Sequence, residues 1–190
     1  ATGYDGNDTM TGSAGNDYYF GHAGDDIINT LAGDDVLVGG TGNDTINGGA
    51  GNDTIYTGAG DDKVYGEAGD DTIIQNGSGS QTYDGGSGAD TLTVDTSGGW
   101  VGTLNSNYPN SIEVNMATGI VGQTNNPNKR DTFTNMENIT FVGSFDTLLT
   151  GDGNANIITG GSGNDTINSG AGNDTIDGGA GNDTIEGGSG

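Results

Sequence analysis

The sequence predicts an all-β fold, a solenoid wound in 18-residue coils whose layers form two parallel sheets, and three observations predict it. Blocks of nine residues follow one another from Gly3 to Ile74 without insertion or deletion. One apolar residue recurs at the eighth place of every block, and glycine, 41 of 190 residues, crowds the first six places. A chain so poor in Leu, Ile, Val and Phe would ordinarily read as disordered. Strict self-similarity at fixed spacing argues for stacking instead, each unit burying its apolar side on the next.

Within a block the turn comes first. Its fourth place is almost always glycine, as at Gly42, Gly51 and Gly60, which suits backbone conformations of positive φ that side chains resist. The last three places, for example Thr45, Ile46 and Asn47, read as a short strand. Neighbours in a strand face opposite ways, so the eighth place points inward and the seventh and ninth outward. Its residues are Met10, Tyr19, Ile28, Leu37, Ile46, Ile55, Val64, Ile73, Tyr83 and Leu92. A turn and strand, then a turn and strand back, close one coil.

After a one-residue slip near Gln75, two further blocks begin at Asn76 and Gly85, and the pattern resumes at Gly151. The chain therefore divides into an N-terminal array (3–93), an aperiodic insert rich in β-like runs (94–150) and a C-terminal array (151–190). The last array stops four residues into another block and reads as a piece of a longer one. The insert carries SIEVNM and ENITFV, two alternating runs that predict strands.

With 27 acidic residues against three basic ones and a formal charge of −24, the chain excludes an electrostatic footprint for nucleic acid or an anionic membrane. Cations are the expected partners. No apolar run approaches the length of a membrane span, and the absence of cysteine excludes disulfide stapling. The single histidine, His22, sits in a glycine turn, so neither a two-histidine zinc site nor a Ser-His-Asp set is available elsewhere. The chain is expected not to be an enzyme.

The sixth place carries Asp8, Asp17, Asp26, Asp35, Asp44, Asp53, Asp62, Asp71 and Asp90, then Asp165, Asp174 and Asp183. Stacking coils about 4.8 Å apart sets equivalent carboxylates above one another. Two of them about 5 Å apart repel by roughly 1–3 kcal/mol. Calcium–oxygen bonds of about 2.4 Å let one ion touch oxygens of both coils, whereas magnesium, with shorter bonds and a strict octahedral demand, fits less well. These twelve aspartates are the candidate metal ligands, with roughly eight or more calcium ions, completed by turn carbonyls. Calcium binding and folding are then one event. Gln81 and Asn156 put a neutral amide in the sixth place, where sites should be weak or empty. Fifth-place Asn43, Asp25, Asp34, Asp61 and Asp70 read as turn stabilisers.

The blocks GGTGNDTIN, GGAGNDTIY and GGSGNDTIN resemble the nonapeptide G-G-x-G-x-D-x-U-x of RTX (repeats-in-toxin) proteins. About 14 units, roughly two thirds of the chain, carry the likeness. The resemblance implies a parallel β-roll with calcium in its turns, type I secretion, and an extracellular or cell-surface location.

Alternate blocks fall on opposite faces. One face collects Tyr18, Phe20, Val36, Val38, Tyr56 and Ile74 and is much the more apolar. The insert, with Trp100, Phe133, Phe141 and Phe145, or a neighbouring domain is the expected cover, the alternative being a partner chain or self-association. The function these features predict is a calcium-folded structural module of a large secreted or surface protein of adhesin, surface-layer or filament type. A second reading, from another class, is the non-catalytic secretion and folding module of an exoenzyme.

Overall fold

The computed structural model describes residues 1–97, 111–123 and 130–190. The first array gives ten strands: β1 (Thr9–Thr11), β2 (Tyr18–Ala23), β3 (Ile27–Asn29), β4 (Val36–Thr41), β5 (Thr45–Ala50), β6 (Thr54–Ala59), β7 (Lys63–Ala68), β8 (Thr72–Gln75), β9 (Thr82–Ser87) and β10 (Thr91–Asp95). Odd and even members segregate into two parallel sheets, and the register steps by 18 residues, as Thr9 on Ile27 and Tyr18 on Val36. Across the slip it steps by 19, Lys63 lying on Thr82. The chain is an all-strand parallel β-roll, as its period predicts.

The stretch 94–150 adds β11 (Ser111–Asn115), β12 (Ile120–Gln123), β13 (Arg130–Thr134), β14 (Asn138–Val142) and β15 (Asp146–Thr150), and the second array adds β16 (Ile157–Thr159), β17 (Thr166–Asn168), β18 (Thr175–Asp177) and β19 (Thr184–Glu186). β14 takes a place in the ladder between β10 and β16. On the other side β13 pairs with β9 in parallel, β12 runs antiparallel between β13 and β11, and β11 pairs with β15 in parallel. Two parallel sheets of 11 and 8 strands, broken only by that antiparallel step, therefore run from one array into the other.

Burial follows the pleat. Every eighth-place residue of the first array is in the core, from Met10 to Leu92, and the insert extends the same core with Val94, Ile112, Val114, Val121, Phe133, Met136, Ile139, Phe141 and Leu149. Alternation by two also turns the sixth and first places inward, since they flank the eighth on the same face of the strand. Asp44, Ile46 and Gly48 are all buried, and so are Asp53, Ile55 and Thr57. Each coil thus places its sixth-place side chains inside the roll, carboxylates except at Gln81 and Asn156 in the two arrays.

The described part of the insert does not cover the apolar face, which corrects the expectation from composition. Its strands continue the sheets edge to edge, because their unpaired backbone groups are satisfied by the ladder and not by packing across a face. Tyr18 stays 51% exposed, in edge contact with Phe20 at a 4.8 Å ring separation, while Phe20, Val36, Val38, Tyr56 and Ile74 are half-buried by their ladder neighbours. Trp100 and Lys129 lie outside the described residues.

The turns show why glycine recurs. Gly42 has φ +122° and its backbone stacks on the Gly24 carbonyl, where a methyl group would overlap it. We expect Gly42→Ala to destabilise the roll by more than the roughly 1 kcal/mol of a mid-element glycine change, and Ile46→Ala, at a fully buried site, by about 2–5 kcal/mol. Urea unfolding in saturating calcium measures both.

Candidate metal centre

The inward carboxylates form two columns, one along each edge of the roll. In each, the backbone N–H of a sixth-place residue donates to Oδ1 of the equivalent aspartate one coil on. Asp8 donates to Asp26 at 2.8 Å, Asp26 to Asp44 at 2.9 Å and Asp44 to Asp62 at 2.9 Å. The other column runs Asp17 to Asp35 at 2.7 Å, Asp35 to Asp53, Asp53 to Asp71 and Asp71 to Asp90, the last three at 2.8 Å. In the second array Asp165 donates to Asp183 at 3.0 Å and Asn156 to Asp174 at 2.9 Å. The stacked carboxylates are therefore not bare pairs facing across a gap. An amide dipole sits between each two.

The second oxygen is left over. Oδ2 of Asp26, Asp35, Asp44, Asp53, Asp62, Asp71, Asp90, Asp165 and Asp174 is buried without a hydrogen-bond partner. Asp8 and Asp17 differ, their Oδ2 atoms accepting from the Tyr4 and Ser13 N–H groups at 2.7 and 2.6 Å. Buried polar atoms are nearly always paired, and an uncompensated buried carboxylate costs several kcal/mol, so a repeated orphan calls for an absent partner.

Where the first place is glycine, a backbone carbonyl of the next coil faces the orphan. A Cβ placed on Gly39 would stand 2.5 Å both from Asp44 Oδ2 and from the Thr57 carbonyl oxygen. The two oxygens are then no further apart than about two calcium–oxygen bonds of ~2.4 Å. The same pairing recurs at Gly21, Gly48 and Gly66 with Asp26, Asp53 and Asp71. Among the described residues no three His, Cys, Asp or Glu side chains converge. A calcium shell of about six to eight oxygens would thus draw largely on the backbone. Hard carboxylate and carbonyl oxygens are the donor set that calcium takes, and the residues present fit it.

Fifth-place side chains form a separate, exposed ladder. Asn7 accepts the Asp25 N–H at 2.9 Å, Asp25 that of Asn43 at 2.8 Å, and Asn43 that of Asp61 at 2.8 Å. They clamp one turn to the next, and an amide serves as well as a carboxylate because only an acceptor is needed.

Two rungs escaped the reading of the sequence. Asp131 Oδ1 accepts the Gln81 N–H at 2.8 Å, and Glu137 Oε2 accepts the Asp90 N–H at 2.8 Å. Both sit in the insert yet occupy sixth-place positions. The available signal was the order acid-x-apolar-x in Asp131–Thr134 and Glu137–Thr140, which repeats places six to nine. Asp131 is closed by protein, because Gln75 Nε2 donates to its Oδ2. Gln81 is closed as well, its Oε1 accepting from the Tyr83 hydroxyl and its Nε2 donating to the Gly58 carbonyl at 3.2 Å. Asn156 accepts the Asp152 N–H and donates to the Glu137 carbonyl.

A model of the RTX calcium-binding nonapeptide repeat matches residues 2–37, 38–73, 76–95, 143–176 and 159–190. The chain belongs to the RTX calcium-binding repeat family. A search of curated proteins gave no match. RTX repeats bind calcium, form structural modules that are typically non-catalytic, and occur typically in secreted proteins. Among the described residues of this RTX chain no helix is long and apolar enough to cross a membrane.

Burial pushes the column carboxyls up, Asp44 and Asp90 to about 6 and Asp53 and Asp62 to about 7, with the neighbouring carboxylates adding to the effect. An unfolded Asp titrates near 3.9, so between roughly pH 4 and 7 the folded chain holds more protons than the unfolded one. Without metal, stability therefore falls as pH rises through that window. Calcium held at these carboxyls would replace the proton and reverse the trend. We expect the metal-stripped chain to show more β signal at pH 4.5 than at pH 7.5, and calcium affinity to weaken as pH drops from 7 to 5; circular dichroism and calcium titration at each pH measure these.

Proposed function

We propose that this chain is a calcium-folded structural module of a large secreted or cell-surface bacterial protein, of adhesin, surface-layer or filament type, and that it performs no catalysis itself. The observation that carries this reading is the series of nine buried, unpartnered Asp Oδ2 atoms among the described residues, with a carbonyl of the next coil beside those of Asp26, Asp44, Asp53, Asp71 and Asp165. Calcium held there would tie successive coils together, so that the roll is rigid where calcium is plentiful and loose where it is scarce. Extracellular calcium near the millimolar range suits modules of this kind.

In this reading the ligands are Asp8, Asp17, Asp26, Asp35, Asp44, Asp53, Asp62, Asp71, Asp90, Asp165, Asp174 and Asp183, with eight or more ions per chain. The rungs at Gln81 and Asn156 stay empty, because their amides already satisfy themselves within the protein. The apolar face of Tyr18, Phe20, Val36, Val38, Tyr56 and Ile74 is the surface for a neighbouring domain or a second copy, since an exposed apolar row of this length favours cover.

Equilibrium dialysis against calcium and magnesium tests the proposal. The expected result is several calcium ions per chain, not displaced by a tenfold excess of magnesium, and a lower count for Asp53→Asn with the β signal kept in high calcium. A single ion or none, or equal affinity for magnesium, contradicts it. Sedimentation velocity in millimolar calcium is expected to show association that Tyr18→Ser with Val38→Ser reduces.

A further inference from the structure

We propose that the insert carries the calcium column across the gap between the arrays, with Asn135 and Glu137 completing a site on Asp90. Neither belongs to a nine-residue repeat, and the site rests on the calcium reading of the columns above. Asp90 is fully buried, and its Oδ2 has no partner. In the repeats such an oxygen faces the first-place carbonyl of the following coil. Here the following coil is the insert, and the Asn135 carbonyl takes that place. A Cβ on Gly85 would stand 2.6 Å from Asp90 Oδ2 and closer still to the Asn135 oxygen. One ion with bonds of about 2.4 Å reaches both.

Three features hold this arrangement. Asn135 has φ +52°, and its Nδ2 donates to Asp84 Oδ1 at 2.7 Å, which fixes the turn that aims its carbonyl at Asp90. Glu137 receives the Asp90 N–H on Oε2, as a sixth-place Asp does in the repeats, and Asn138, like a seventh-place residue, donates its N–H to the Asp90 carbonyl at 2.9 Å, to which Glu137 adds its own N–H at 3.0 Å. Beyond it lies a polar cavity of about 170 Å³ lined by Asn135, Met136, Glu137, Asp152 and Asn154. The Glu side chain brings Oε2 to the Asp90 N–H, the position that an Asp Oδ1 holds elsewhere.

The opposite edge behaves differently. Asp131 has both oxygens paired, to the Gln81 N–H and to Gln75 Nε2, so an amide stands where the other rungs leave an orphan. The insert therefore takes calcium on one edge and closes with hydrogen bonds on the other.

Long-wavelength anomalous diffraction from crystals of the 190-residue chain grown in calcium tests this directly. We expect a peak within bonding distance of Asp90 Oδ2 and the Asn135 carbonyl, and none at Asp131. Peaks in the repeats with none at Asp90 and Asn135 overturn the seam site alone; no peak anywhere overturns the calcium reading beneath it. In solution, Glu137→Gln keeps an acceptor for the Asp90 N–H and is expected to bind one ion fewer than the parent at the calcium concentration that just saturates the parent. Asp131→Asn is expected to keep the full count. An unchanged count and midpoint for Glu137→Gln overturns the proposal.

Discussion

The structure depends on one constraint, the placing of a carboxylate on the inward side of a strand. Because side chains alternate, an aspartate two residues before the core isoleucine must share its face, as Asp44 does with Ile46 and Asp53 with Ile55. One oxygen is used by the N–H of the coil before, which locks the register. The other has nothing in the protein to bind. Repeats with one inward apolar side chain per nine residues have little hydrophobic stabilisation to offset so many buried charges. In the proposed reading a cation supplies what is missing, and the glycines that leave room for carbonyl and carboxylate to meet serve the same site.

The insert shows how the constraint tolerates interruption. β14 keeps its ladder position between the arrays on one edge, and β11 to β13 fill the other with an antiparallel detour. What survives the loss of the nine-residue period is the acid placed two before an apolar residue, at Asp131 with Phe133 and Glu137 with Ile139. Where an amide can reach the orphan oxygen, as Gln75 reaches Asp131, the rung no longer needs an ion. Gln75, the residue at the one-residue slip, is itself fully buried.

Much of this was legible in the sequence, because periodicity reports directly on stacking. The inward series from Met10 to Leu92, the two unlike faces and the paired sheets all follow from counting by nine and by two. The roles of Asp131 and Glu137 are hidden in the sequence because a rung is marked by unbroken spacing, and the detour through β11 and β12 destroys it. The described strands of the insert do not lie on the apolar face, because alternating runs such as SIEVNM continue a sheet through their backbones. The division of each carboxylate between an N–H and an orphan is a matter of side-chain rotation, which spacing does not encode.

The most direct test of the central claim is far-UV circular dichroism of the metal-stripped chain during a calcium titration at pH 7.5, with magnesium as control. The account predicts little β signal in chelator and a cooperative rise at roughly 0.1–1 mM calcium, the range of extracellular modules, that magnesium does not reproduce. A complete β signal in excess chelator would contradict it, for the buried carboxylates would then be stable without the ion that their geometry requires.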